Sequence, residues 1–187
     1  MNPLKPLSAA FESLSLPFTL VGSLASSARG IPRSTKGVDI IVRIAPAHVD
    51  KLKAALGKEW SADKWQIRNA IRAGRDFNIT HTPTGWKFDL FPAVSDFHES
   101  AMRRSTVALI VLNGDSFQCP ISSPEDILLA KLRWYKDGGQ VSERQWSDIG
   151  AVITISPKLD FNYLRHWAEL LDILDLLEKA LRDAATA

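Results

Sequence analysis

An aspartate set inside an apolar run limits how this chain can fold more than any other feature of the sequence. Asp39 lies in Val38-Asp39-Ile40-Ile41-Val42, a run whose other members suit a strand buried on both faces. A lone carboxylate in such a place is costly unless it is paired, protonated or bound to a metal. Alternation along a strand puts Asp39 on the same side as Gly37 and Ile41. Upstream, the apolar run Phe18-Thr19-Leu20-Val21 breaks at Gly22-Ser23 into small residues able to start a helix, and Gly30 and Pro32 then turn the chain toward the second run. The order is strand, tight turn, short helix, loop, strand. A glycine at such a turn lets backbone approach a ligand closely, and the N–H groups that open the next helix favour an anion.

A second acid of the same kind follows. Residues 76–80 and 86–91 read as two strands around His81-Thr82-Pro83-Thr84-Gly85, which has the Pro and Gly of a hairpin loop. The second strand, Trp86-Lys87-Phe88-Asp89-Leu90-Phe91, carries Asp89 among aromatic and aliphatic neighbours. Asp89 either helps to hold a cation or pairs with a buried arginine. Further on, Ser122-Ser123-Pro124-Glu125-Asp126 starts a helix with a serine cap, proline at the first helical position and acids in the first turn. Lys131 falls four residues after Ile127 and three after Leu128, on the apolar stripe of that helix. A lysine there either snorkels or reaches a buried anion. Ser142 and Gln145 form a capping box for a helix that turns Trp146, Ile149, Val152 and Ile153 inward. Asp148 lies beside that stripe, where it could hold Arg133 or Arg144.

Taken in order, these segments resemble the nucleotidyltransferase superfamily with its polymerase-beta-like fold, and most closely the AbiEii and MenT type toxins and their small relatives. Their pattern is Gly-Ser, then Arg-x-Thr, then Asp-x-Asp on the next strand. Gly22, Ser23, Arg33, Thr35 and Asp39 match it, but Gly37 stands where the first acid of the pair belongs. The run Pro-Glu-Asp-Ile-Leu-Leu-Ala-Lys-Leu-Arg-Trp-Tyr-Lys resembles the lysine motif of the same toxins. The resemblance implies an α+β nucleotidyltransferase fold, a mixed twisted sheet flanked by helices. It implies a core over residues 1–122 and a C-terminal helical segment, 123–187, packed on it. It also implies a nucleoside triphosphate bound with Mg2+ (or Mn2+). Asp39 and Asp89 would hold the metal, and Gly22, Ser23, Arg33, Thr35, Lys131 and Asp148 would contact the nucleotide. Asp39, Asp89 and Lys131 form the expected catalytic set, and the acceptor would be RNA or protein, with a cognate antitoxin-like partner. Two divalent ions about 3.5 to 4 Å apart need several carboxylates. With Gly37 in place of one acid, a nucleotide-binding pseudoenzyme remains an alternative.

The rest of the chain sets bounds. With 187 residues, 45% of them apolar, one sizeable core is possible. A net charge of +2 requires no nucleic-acid partner. Lys64, Arg68, Arg72 and Arg75 with Trp60 and Trp65, on a helix over about residues 62–73, leave open an RNA or protein interaction module or a solvated face with two partly buried indoles. Cys119 stands alone, so no internal disulfide forms, and its neighbours mark it as a strand thiol. The start of the chain lacks the pattern of a signal peptide, and no run approaches the roughly 20 apolar residues that span a bilayer. Both point to a soluble cytoplasmic protein. Leu4, Leu7, Phe11 and Leu14 form one helix face. Val49, Leu52, Ala55 and Leu56 form another. Residues 96–104 read as a short helix ending in Arg103-Arg104, and residues 106–112 and 116–121 as a hairpin around Asn113-Gly114. Asp160 caps a single last helix carrying Leu164, Trp167, Leu171, Leu174, Leu177 and Leu181 on one side, structural cover or a dimer surface.

Overall fold

The computed structural model describes residues 2–29, 37–112 and 114–186. Among these, the strands β1 (Phe18–Val21), β2 (Gly37–Val42), β3 (Trp60–Ser61), β4 (Phe77–His81), β5 (Trp86–Pro92), β6 (Thr106–Leu112) and β7 (Asp115–Ile121) form one sheet in the order β3-β4-β5-β2-β1-β7-β6. The sheet is mixed: β2 pairs parallel with β5 and antiparallel with β1, while β1 meets β7 in parallel at Leu20 and Ile121. Around it lie α1 (Leu4–Ser13), α2 (Gly22–Ala28), α3 (Val49–Leu56), α4 (Lys64–Arg72), α5 (Asp96–Arg103), α6 (Pro124–Asp137), α7 (Glu143–Ile155), α8 (Phe161–Leu170) and α9 (Leu174–Ala185). The fold is thus α+β, as expected. No helix among the described residues is long and apolar enough to cross a membrane.

Local chemistry accounts for most boundaries. The Ser123 side chain accepts the Asp126 N–H at 3.2 Å, with Pro124 first in α6 and Glu125 and Asp126 in its first turn. Ser142 and Asp160 cap α7 and α8 through the N–H groups of Gln145 and Tyr163. Between β6 and β7, Gly114 turns with φ +76°, and Asn113 of the expected turn lies outside the described residues. One apolar cluster runs from Leu4 and Phe11 through Ile40 and Phe88 to Leu128, Ile149 and Leu177, from the sheet into the last helices.

Four expectations need correction. β2 is buried on both faces only toward its end: Val38, Ile40 and Val42 are sealed in the main core and Ile41 is buried on the opposite face, whereas Gly37 and Asp39 on that second face are half-buried. The single last helix is two, because the chain turns at Asp172 (φ +56°) and thereby buries Ile173 to 2%. No glycine or proline marks that break, and the leucine spacing continues across it. Ala55 is exposed on α3. The two indoles near α4 differ: Trp60 on β3 is sealed in, but Trp65 is 73% exposed.

A polar junction sets α6 against the sheet side. The Arg104 guanidinium lies 3.0 Å from Glu125 Oε2 and 3.9 Å from the centre of the Tyr163 ring. The Tyr163 hydroxyl donates to Asp126 Oδ1 at 2.6 Å and Ser123 to Asp126 Oδ2 at 2.7 Å. Burial still raises the Asp126 carboxyl above its ordinary range. Burial acts on Glu125 the same way, yet hydrogen bonds from Asp160 N–H, Ser123 and Arg104 bring it below. The junction ties α5, α6 and α8 together at the end of α6 nearest the sheet.

Cys119 is fully buried on β7, and burial pushes its thiol up to about 12. A protonated, enclosed thiol does not react as a nucleophile. In the folded protein at pH 8, iodoacetamide should leave Cys119 unmodified, and in denaturant it should label it fully. Prompt labelling of the native chain, read by mass spectrometry, would contradict the placement of β7.

Candidate functional site

Parallel pairing with β5 sets Gly37 opposite Lys87, Asp39 opposite Asp89 and Ile41 opposite Phe91. Neighbouring strands run about 4.8 Å apart, and alternation sends all six side-chain positions to one face. Asn78 of β4 lies opposite Asp89 on the other side. The two acids singled out by the sequence are therefore immediate neighbours on the open face of the sheet, although 50 positions apart in the chain. β1 ends beside them, with Val21 opposite Asp39. At its end Gly22 adopts φ +64°, and a Cβ built there would lie 2.0 Å from Asp39 Oδ2. Only a residue without a side chain lets the carboxylate sit against the backbone at this turn.

Gly22 opens α2, whose serines bond back into the helix: Ser26 Oγ donates to Gly22 O at 2.9 Å and Ser27 Oγ to Ser23 O at 3.0 Å. Ser23, Asp39, Lys131, Trp134, Gln145 and Asp148 line one cavity of about 150 Å³. Lys131 is buried, 8% exposed, and its ammonium lies 3.5 Å from Asp148 Oδ2. Among the described residues Asp148 thus pairs with Lys131 and not with Arg133 or Arg144, and i+4 spacing gives Arg133 to Asp137 at 3.8 Å. Trp134 and Gln145 are not among the site residues that the sequence suggests. Trp134 follows Lys131 by three positions and Gln145 precedes Asp148 by three, so each shares a helix face with a residue that does. No reciprocal bond of a capping box is found for Gln145 among the described residues; its side chain lines the cavity. Trp134 packs tilted against Phe91, ring centres 5.8 Å apart, and also walls a second cavity of about 390 Å³ that includes Arg75, Asp76, Arg133 and Asp137.

Asp89 does not line the smaller cavity. Its Oδ1 accepts from Lys87 Nζ at 2.8 Å, two residues earlier on the same strand. The partner of the carboxylate is therefore an exposed lysine and not a buried arginine. Arg33 and Thr35 lie outside the described residues. No group of three His, Cys, Asp or Glu able to hold a metal occurs among the described residues. Two neighbouring carboxylates suit one hard cation that keeps most of its waters, and they fall short for a pair of ions. The basic residues of α4 are partly spent elsewhere, since Lys64 and Arg68 both pair with Asp50. That is the pattern of a solvated helix face.

No protein-family model and no curated protein sequence matches the chain. Solved structures do. The solution structure of the antibiotic-resistance factor ANT(2'')-Ia is similar with a TM-score of 0.53 and 15% identity, over 98% of this chain and 93% of that one. ANT(2'')-Ia in complex with adenylyl-2''-tobramycin gives a TM-score of 0.50 and 15% identity, over 96% of each chain. A weaker likeness, with a TM-score of 0.48 and 16% identity, is to the lincosamide antibiotic adenylyltransferase LnuA bound to lincomycin, over 82% of this chain and 96% of that one. The sheet and its flanking helices thus form a nucleotidyltransferase fold.

The Gly22 contact yields a direct test of the site's packing. Gly22→Ala combines strain at positive φ with a clash against Asp39, and overpacking of this kind costs about 1–3 kcal/mol. Urea denaturation should report a loss in that range. A variant as stable as the parent would show that Asp39 does not rest against this turn.

Proposed function

We propose that the chain binds a nucleoside triphosphate with one divalent ion on the open face of β2 and β5, and transfers its nucleotide to an acceptor hydroxyl. The observation that carries this reading is the in-register pairing of Asp39 with Asp89, next to a cavity that also holds Lys131. Asp39 and Asp89 would hold a magnesium or manganese ion, which when bound neutralises phosphate charge. The residues themselves do the rest. Gly22 holds the turn against Asp39 beside which the polyphosphate would lie, and Ser23 offers a hydroxyl at the start of α2. Lys131, oriented by Asp148, supplies a fixed cation to the phosphates. In the transfer, a bond forms between the acceptor oxygen and the α-phosphorus as the acceptor hydroxyl loses its proton to solvent, the α–β phosphoanhydride breaks, and pyrophosphate leaves.

The acceptor would enter from the second cavity, across Trp134. RNA and protein hydroxyls are two candidate acceptors. A small hydroxylated molecule is a third, by analogy with the adenylyl-2''-tobramycin of the ANT(2'')-Ia complex. A second reading rests on Gly37. It sits in register with Lys87, so a lysine and no acid stands beside Asp39 and Asp89 on this side. On that reading the chain holds a nucleotide without transferring it.

Labelled nucleoside triphosphates with Mg2+ separate the two. Transfer predicts pyrophosphate release by the natural chain, lowered at least about tenfold, or 1.4 kcal/mol, by Asp39→Asn. Binding alone predicts saturable, Asp39-dependent nucleotide retention without release, and release gained in Gly37→Asp. A chain that retains no nucleotide contradicts both.

A further inference from the structure

The two edges of the sheet are built differently. β3 closes one with two residues, a short edge that offers little to pair with. β6 closes the other with seven, Thr106-Val107-Ala108-Leu109-Ile110-Val111-Leu112, and none of them is charged. Proteins normally protect such an edge with a lysine, a proline, a bulge or a covering segment. Among the described residues no other backbone pairs with the outer side of β6. Its inner face is conventional, with Ile110 and Leu112 buried. Its outer face is not: Val107, Leu109 and Val111 are 65%, 59% and 65% exposed. These are three of the most exposed aliphatic side chains in the described chain, at alternate positions of one strand.

We infer that β6 is the contact by which two copies of this chain associate, edge to edge and antiparallel about a two-fold axis at Leu109. The strand is self-complementary about that point. A two-fold there sets Val107 of each copy against Val111 of the other and Leu109 against Leu109, so the exposed aliphatic positions form one continuous row. An isologous contact needs this property, since the same patch must match itself. The backbone groups on the outer side of β6 would extend the sheet across both copies. Three aliphatic side chains per copy are a small area next to the roughly 800 Å² per partner of a standard interface. The association is therefore expected at micromolar concentration.

Sedimentation equilibrium from about 1 to 100 μM, spanning the free energies of micromolar association, tests this on the full chain. The natural sequence should pass from monomer to dimer within that range. Leu109→Lys should remain monomeric throughout with an unchanged melting temperature, because the position is exposed. Leu109→Thr, which keeps a strand-forming residue, should weaken the dimer at least about fivefold, or 1 kcal/mol. A strictly monomeric natural chain, which would leave this edge to a strand from another protein, overturns the inference. So does a dimer that Leu109→Lys leaves intact.

Discussion

The parallel pairing of β2 with β5 is the constraint on which the candidate site depends. It brings Asp39 beside Asp89 and, through strict alternation, sends both to the face away from the main apolar cluster, where they are half-buried. A slip of one residue would turn Asp39 into the interior occupied by Val38 and Ile40 and move those aliphatic groups out of the main core. Burial of the apolar set therefore enforces the register of the acids. Gly22 completes the arrangement from the other side, because the close approach of the Asp39 carboxylate leaves no room for a Cβ at the turn.

The cationic half of the site depends on helix placement. α6 reaches the site from a start held by Arg104, Tyr163 and the Ser123 cap, and two turns later it delivers Lys131 to the cavity. A buried ammonium is costly without a partner, and Asp148 on α7 supplies one. The result is a pocket that holds Asp39 and Asp148 with Lys131, while outside it on the neighbouring strand Asp89 pairs with Lys87. A ligand that is itself both anionic and metal-bearing suits such a surface. Phosphates would meet the lysines while their counter-ion would meet the carboxylates.

Much of this is legible in the order of the amino acids. Asp39 and Asp89 stand out because each interrupts a strand-like run, and Lys131 because it lies on an apolar helix stripe. The helix caps are legible because their chemistry is local. What escapes are properties set by neighbours distant in sequence. Whether one face of β2 is covered depends on where α2 and α6 settle, so Asp39 reads as more enclosed than it is. The partner of Asp148 sits 17 positions away on another helix, where sequence spacing gives no guidance. The break at Asp172 is driven by burial of Ile173, a gain that leucine periodicity does not record. Trp65 and Trp60 look alike in sequence, yet one is on an exposed helix face and the other on a sealed strand.

The most direct measurement is a crystal structure of the chain grown with a non-hydrolysable nucleoside triphosphate and Mn2+, using anomalous scattering to locate the ion. The account predicts one anomalous peak bonded to both Asp39 and Asp89, at about 2.1 Å as for a small hard cation, with phosphates against Lys131. A nucleotide bound elsewhere, or a peak absent while Lys87 still holds Asp89, would contradict it.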